Sequence, residues 1–115
     1  VLCDVPCSGL GVIRKKPEIR YKDPEALRGL PSVQRAILEN ACRYVRPGGT
    51  LLYSTCTILP EENEGVTEAF LAAHPEFIPE PFTLHPGWEA SEGKLTLWPQ
   101  RHDTDGFYLC RMRKL

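Results

Sequence analysis

The chain has 115 residues, 42% of them hydrophobic and 25% charged, with a formal net charge of −1. That balance fits one small globular domain and speaks against a strongly basic nucleic-acid binder. No apolar run approaches the roughly 20 residues a membrane-spanning helix needs, and no charged–apolar–small signal segment opens the chain.

Val1–Pro6 reads as a short buried strand ended by Pro6. It starts with Val1-Leu2-Cys3 in mid-strand and without Met, so we expect a piece of a longer protein. Cys7-Ser8-Gly9-Leu10-Gly11 is a glycine-punctuated turn. Residues 12–30 are irregular and basic and carry Pro17 and Pro24, which suits a surface loop that touches a ligand. Residues 31–46 predict a helix. Pro31 fits its first position, and Val33, Ile37, Leu38, Ala41, Tyr44 and Val45 form an apolar face. Pro47-Gly48-Gly49 stops it.

Residues 50–55 predict a second strand, apolar enough to be buried on both faces. A helix between two such strands is a parallel βαβ crossover. A second helix is expected from about Pro60 to Ala73, with Glu61, Glu62 and Glu64 in its first turns and Val66, Ala69, Phe70 and Ala73 as its apolar face. Short strands are expected around Phe77-Ile78 and at Leu95–Trp98, with a loop over residues 82–94 between them. Phe107–Met112 reads as a final alternating strand, with Phe, Leu and Met set against Tyr, Cys and Arg. The order βαβα followed by β-rich sequence predicts an α/β fold. It is the second half of an open, mostly parallel sheet, finishing with an antiparallel pair and leaving one edge bare.

Two basic clusters stand out, Arg14, Lys15, Lys16, Arg20 and Lys22, and Arg111, Arg113 and Lys114. Such runs are solvated faces or, for the first cluster, grips on nucleic-acid backbone. Five cysteines, an odd number without a secretory signal, point to reduced thiols and a cytoplasmic location. No C-x-x-C pair is present, and no metal site is expected.

Cys7 follows the first strand and Cys56 the second. Both fall at carboxyl ends, where open α/β sheets bind ligands. Neighbouring strands lie about 4.8 Å apart, so both sulfurs would face one small site, with Asp4 at the same end. Cys56 also precedes the expected helix near Pro60, whose N-terminus favours thiolate, while Glu61 and Glu62 oppose it. From the arrangement alone the two thiols remain either reactive groups or small buried hydrophobes. Cys3, Cys42 and Cys110 sit within elements and are read as buried.

The motifs themselves carry a resemblance. Asp4-Val5-Pro6-Cys7-Ser8-Gly9 resembles the D-x-P-C-S-G motif of RNA cytosine-5 methyltransferases, and Ser54-Thr55-Cys56 their S-T-C motif. Pro60-Glu61-Glu62-Asn63-Glu64 resembles the P-x-E-N-E that follows, and Asp105-Gly106-Phe107-Tyr108 a late D-G-F-F motif with Tyr108 replacing the second Phe. The run Gly11–Arg20 is similar to the RsmB/Sun-type branch, which acts on small-subunit ribosomal RNA.

The resemblance implies the C-terminal part of a Rossmann-like class I methyltransferase domain, using S-adenosylmethionine on a ribosomal RNA substrate. It assigns covalent attack at cytosine carbon-6 to Cys56, release to Cys7, and contact with cytosine and cofactor to Asp4. Pro6 joins the cofactor side. Arg14, Lys15 and Lys16 become phosphate grips, and His102 and Asp105 line the base pocket. The family's glycine-rich cofactor loop and the acidic residue for the cofactor ribose do not occur in these residues. We therefore expect residues 1–115 alone to be inactive. A methyltransferase acting on an exocyclic amine is disfavoured, because those carry an aromatic residue after a D/N-P-P motif, where Cys7 stands. A non-catalytic RNA-binding or ribosome-assembly protein on the same fold is the alternative, against which both cysteines and Asp4 speak.

Overall fold

The computed structural model describes residues 1–9, 29–99 and 105–115. Its elements are β1 (Leu2–Asp4), α1 (Leu30–Ala41), a 3-10 turn (Cys42–Tyr44), β2 (Thr50–Thr55), α2 (Glu64–Ala73), β3 (Phe77–Pro79), β4 (Phe82–His85), β5 (Trp88–Ala90), β6 (Lys94–Leu97) and β7 (Phe107–Lys114). β1 and β2 pair in parallel, with Asp4 opposite Ser54, and α1 lies between them in the chain. The predicted βαβ crossover is therefore present. β1 forms an edge of the sheet, as expected.

β7 lies antiparallel to β2, and its other edge is shared end to end by β3 and β6. The expected terminal pair is thus a three-way junction built on one long strand. Gly93 makes the junction possible. Arg111 N–H donates to its carbonyl at 2.8 Å, while Arg111 C=O accepts from Glu80 N–H at 2.9 Å. Gly93 sits at φ +80°, and a Cβ there would lie 2.9 Å from Glu80 N. Gly93→Ala is expected to cost about 2–3 kcal/mol in urea unfolding, from left-handed backbone strain plus the clash with main chain. A change within error would show that β3 and β6 separate freely.

Both helices pack on one sheet face. Leu38, Cys42 and Val45 meet Val66 and Phe70 over Cys3, Val5, Leu51, Tyr53, Tyr108, Cys110 and Met112. Several sequence expectations need correcting here. The first strand stops at Asp4, short of Pro6, and of its three residues only Cys3 is buried, because it lies at the sheet edge. α1 ends at Ala41 and tightens into the 3-10 turn, and Val33, Ile37 and Tyr44 are exposed. Of the expected face Leu38 and Val45 are buried and Ala41 packs against the core, and the inward stripe is completed by Gln34 and Cys42 in place of Val33, Ile37 and Tyr44.

β2 buries Leu51, Tyr53 and Thr55 but leaves Thr50, Leu52 and Ser54 partly open, so it alternates. Likewise β7 buries Tyr108, Cys110 and Met112, putting Met112 on the face of Tyr108 and not of Phe107. The expected loop over residues 82–94 contains the β4–β5 hairpin, turned at Gly87 with φ +87°. This hairpin approaches the sheet face opposite the helices, where Phe82, Thr83, Leu84, Leu52 and Leu109 line a cavity of about 380 Å³.

The C-terminal basic cluster serves the protein's own contacts. Arg111 pairs with Glu80 at 2.8 Å, Arg113 reaches the same carboxylate at 3.9 Å, and Lys114 donates to Val45 C=O. His74 closes α2 against α1. Its Nε2 lies 2.7 Å from Glu39 and its Nδ1 2.8 Å from Glu76. Burial pulls its pKa down, but the hydrogen bonds to Glu76 and Glu39 together outweigh it and raise the pKa. No helix among the described residues is long and apolar enough to cross a membrane.

Candidate active site

The parallel register carries Cys7 and Cys56 to the same end of the sheet. Their Sγ atoms are 3.1 Å apart, and each side chain is partly buried. Gly9, at φ +74°, turns the chain just after Cys7-Ser8. Asp4 is exposed at the end of β1, and its Oδ1 accepts from Ser54 Oγ at 2.9 Å. The remaining cysteines are buried within elements, as expected, and all five thiols are free.

The pKa of Cys56 is pushed up to about 12, first by burial, then by the Cys7 hydrogen bond and charge, and further by Asp4. Its own backbone N–H pulls the other way, by more than Asp4 adds. The expected helix N-terminus is absent from the thiol, because α2 begins only at Glu64. Residues 60–63 form turns, in which Pro60 C=O accepts from both Asn63 N–H and Gly65 N–H.

Glu62, expected to repel a thiolate, faces inward and is 2% exposed. Its Oε1 accepts from Ser8 N–H at 2.7 Å and Gln34 Nε2 at 3.0 Å, and its Oε2 accepts from Ser8 Oγ at 2.7 Å. Ser8 Oγ lies 2.8 Å from Thr57 Oγ1, and with the serine proton committed to Glu62, the threonine donates. Beneath this, Thr55 Oγ1 donates to Asn63 Oδ1 at 2.6 Å, and Asn63 Nδ2 donates to Thr57 C=O. Tyr108 OH and Thr67 Oγ1 are 2.8 Å apart, so the hydroxyl that distinguishes Tyr108 from Phe has a partner. Buried donors left without acceptors cost about 1–3 kcal/mol each, so this network holds its members tightly.

Sequence reasoning missed Glu62, Gln34 and Thr57. The signal available was Gln34, a polar residue one turn before Leu38 on a helix face that has to be buried. Asp105 is buried immediately before β7, at the end where Tyr108 pairs with Thr55, and so lies at the site end of the sheet. Arg14, Lys15, Lys16 and His102 fall outside the described residues. Glu39, Cys42 and His74 have metal-ligand spacing, within 4.8 Å of one another. Both ring nitrogens of His74 already meet carboxylates, and Cys42 Sγ donates to Glu39 C=O, so the group is an ion-paired brace.

The profile of the 16S rRNA methyltransferase RsmB/F family matches residues 1–113. The chain belongs to that family. It is 42% identical to a probable ribosomal RNA small subunit methyltransferase B of Bacillus subtilis, over 99% of this chain and 27% of the relative. It is 42% identical to ribosomal RNA small subunit methyltransferase B of Thermus thermophilus, over 100% of this chain and 29% of the relative. The crystal structure of PH0851 superposes with a TM-score of 0.88 at 41% identity, over 99% of this chain and 26% of that one. NSun6 from Pyrococcus horikoshii with SFG gives 0.76 at 29% identity, over 98% and 29%. This RsmB/F chain therefore spans about a quarter of the length of the relatives it matches, and its sheet is part of a Sun-type methyltransferase fold.

Proposed function

We propose that this chain is the C-terminal part of the catalytic domain of a cytoplasmic ribosomal RNA cytosine-5 methyltransferase, with Cys56 as nucleophile. The observation that carries the reading is the pair of sulfurs 3.1 Å apart at the carboxyl ends of adjacent parallel strands, with the Asp4 carboxylate beside them. Carbon-5 of cytosine is a weak nucleophile. Addition of the Cys56 thiolate to carbon-6 sends the ring electrons toward carbon-5 and nitrogen-3, which splits one hard step into easier ones.

A proton held between Asp4 and ring nitrogen-3 takes up the developing charge, and Ser54 orients the Asp4 carboxyl group. S-adenosylmethionine, when bound, supplies the methyl group that carbon-5 takes. Cys7, as thiolate, then takes the carbon-5 proton and becomes a thiol, the carbon-6–sulfur bond breaks, and Cys56 leaves as thiolate. The base has to leave its stack to reach a site this small. Arg14, Lys15 and Lys16 grip the flanking phosphates, and Asp105, with His102, borders the pocket.

For the cofactor, the described residues fit as one wall only. Asp4 and the exposed Pro6 end β1 at an open sheet edge, and no glycine-rich cofactor loop occurs in residues 1–115. Isothermal titration is therefore expected to show S-adenosylmethionine binding to the full-length protein and none in the micromolar range to residues 1–115. Tight binding to residues 1–115 would overturn the one-wall reading. Transfer of labelled methyl to ribosomal RNA by the full-length protein, followed by nucleoside analysis, tests the function itself. The label is expected in 5-methylcytosine, and label in an exocyclic amine would refute the proposal.

A further inference from the structure

Cys7 and Cys56 belong to segments 49 residues apart, and no covalent bond joins them. The residue after each one, Ser8 and Thr57, is fully buried, and Glu62 ties the two together. Its carboxylate takes both the N–H and the hydroxyl of Ser8, and Ser8 Oγ in turn meets Thr57 Oγ1. Gln34 bridges Glu62 to Pro6 C=O at 2.9 Å, just before Cys7. The backbone carbonyl of Glu62 is itself held by Tyr53 OH at 2.7 Å, in the middle of β2. The carboxylate is thus anchored to the Cys56 strand and grips the Cys7 turn. Its oxygens face only internal donors, and its burial keeps it from a bound base.

We infer that Glu62 is a positioning residue that sets the separation of the two active-site sulfurs by gripping Ser8. The effect on catalysis rests on the function proposed above; the effect on geometry does not. A glutamine at this position can keep its oxygen on Ser8 N–H and Gln34 Nε2, but it turns an NH2 toward Ser8 Oγ, so the Ser8 and Thr57 hydroxyls must reverse and the charge-assisted grip is lost. The Cys7 turn then drifts from Cys56.

The test is brief oxidation of the full-length protein by diamide, with the Cys7–Cys56 disulfide counted by peptide mass spectrometry. Two thiols give up two protons and two electrons, and diamide becomes the hydrazine. The wild type is expected to cross-link rapidly. Glu62→Gln is expected to do so at least about tenfold more slowly, since sub-ångström displacement already dominates such rates. Ser8→Ala, a smaller lesion, should fall between them with an unchanged circular dichroism spectrum, and it carries the test if Glu62→Gln fails to fold.

With Cys7 present the same two changes should slow release of the RNA adduct by a similar factor, and in a Cys7→Ala background they should leave adduct formation and the RNA dissociation constant within about twofold. Cross-linking at the wild-type rate in both folded variants overturns the inference. Slower cross-linking without an adduct in any background upholds the positioning role and removes the covalent mechanism.

Discussion

Cys7→Ala in the full-length protein, incubated with cytosine RNA and S-adenosylmethionine, is expected to accumulate a covalent RNA–protein adduct that survives a denaturing gel. Cys56→Ala is expected to give none. Both changes should lower turnover by about a thousandfold or more, the usual scale for losing a covalent-catalysis residue, but for opposite reasons. Without Cys56, carbon-6 is never attacked. Without Cys7, attack and methyl transfer proceed, and the carbon-5 proton then has no thiolate 3.1 Å from the nucleophile to receive it. The two roles cannot be exchanged without changing the gel. An adduct that persists in Cys56→Ala would remove the nucleophile assignment, and adducts from both variants would make the sulfurs interchangeable.

Much of this site was readable because strand ends and motifs coincide. β1 ends at Asp4, Pro6 and the glycine-rich turn carry Cys7 just beyond it, and parallel pairing of Asp4 with Ser54 brings Cys56 to the same end. The distance between the sulfurs follows from topology. What stayed hidden depends on which side of an element faces the sheet. The apolar residues of α1 suggested a stripe through Val33 and Ile37, yet the helix turns Gln34 inward, because Glu62 and Pro6 C=O supply acceptors there. A buried polar residue is invisible to a hydrophobic pattern when its partners lie 28 residues away.

The start of α2 was misplaced for a related reason. The acids at 61 and 62 look like first-turn residues, but Glu62 is drawn into the core by Ser8, and the helix waits until Glu64. β4 and β5 escaped notice because each is only three or four residues long and interrupted by Pro and Gly.

At rest, Cys56 is expected to be a poor nucleophile. Its pKa is pushed to about 12 from an ordinary 9.0, by burial first and then by Cys7 and Asp4. At pH 7 the thiolate fraction is on the order of one in 100,000, and only thiolate is alkylated or adds to carbon-6. Labelling of Cys56 by iodoacetamide in RNA-free protein is therefore expected to climb about tenfold per pH unit from 7 to 10. It should show no levelling near 9, where an unhindered thiol saturates. Cys7→Ala removes the hydrogen bond and charge that rank next after burial, so its curve should move to lower pH. An inflection at or below pH 9 in the unmodified protein would sink this account.

The same shift makes a stability statement. The folded state holds the thiol proton more tightly than the unfolded state. The contribution is complete below pH 9 and is lost as pH rises from 9 toward 12. Of the groups that raise this pKa, Asp4 is the one a docked cytosine alters. An Asp4 sharing a proton with ring nitrogen-3 projects less negative potential onto the neighbouring sulfur, which eases ionisation of the thiol, while burial and Cys7 remain the larger causes of its raised pKa. In the proposed reaction, substrate binding then assists nucleophile activation through Asp4. The resting site keeps the Cys56 thiol protonated and slow to alkylate, with the Cys7 sulfur 3.1 Å away.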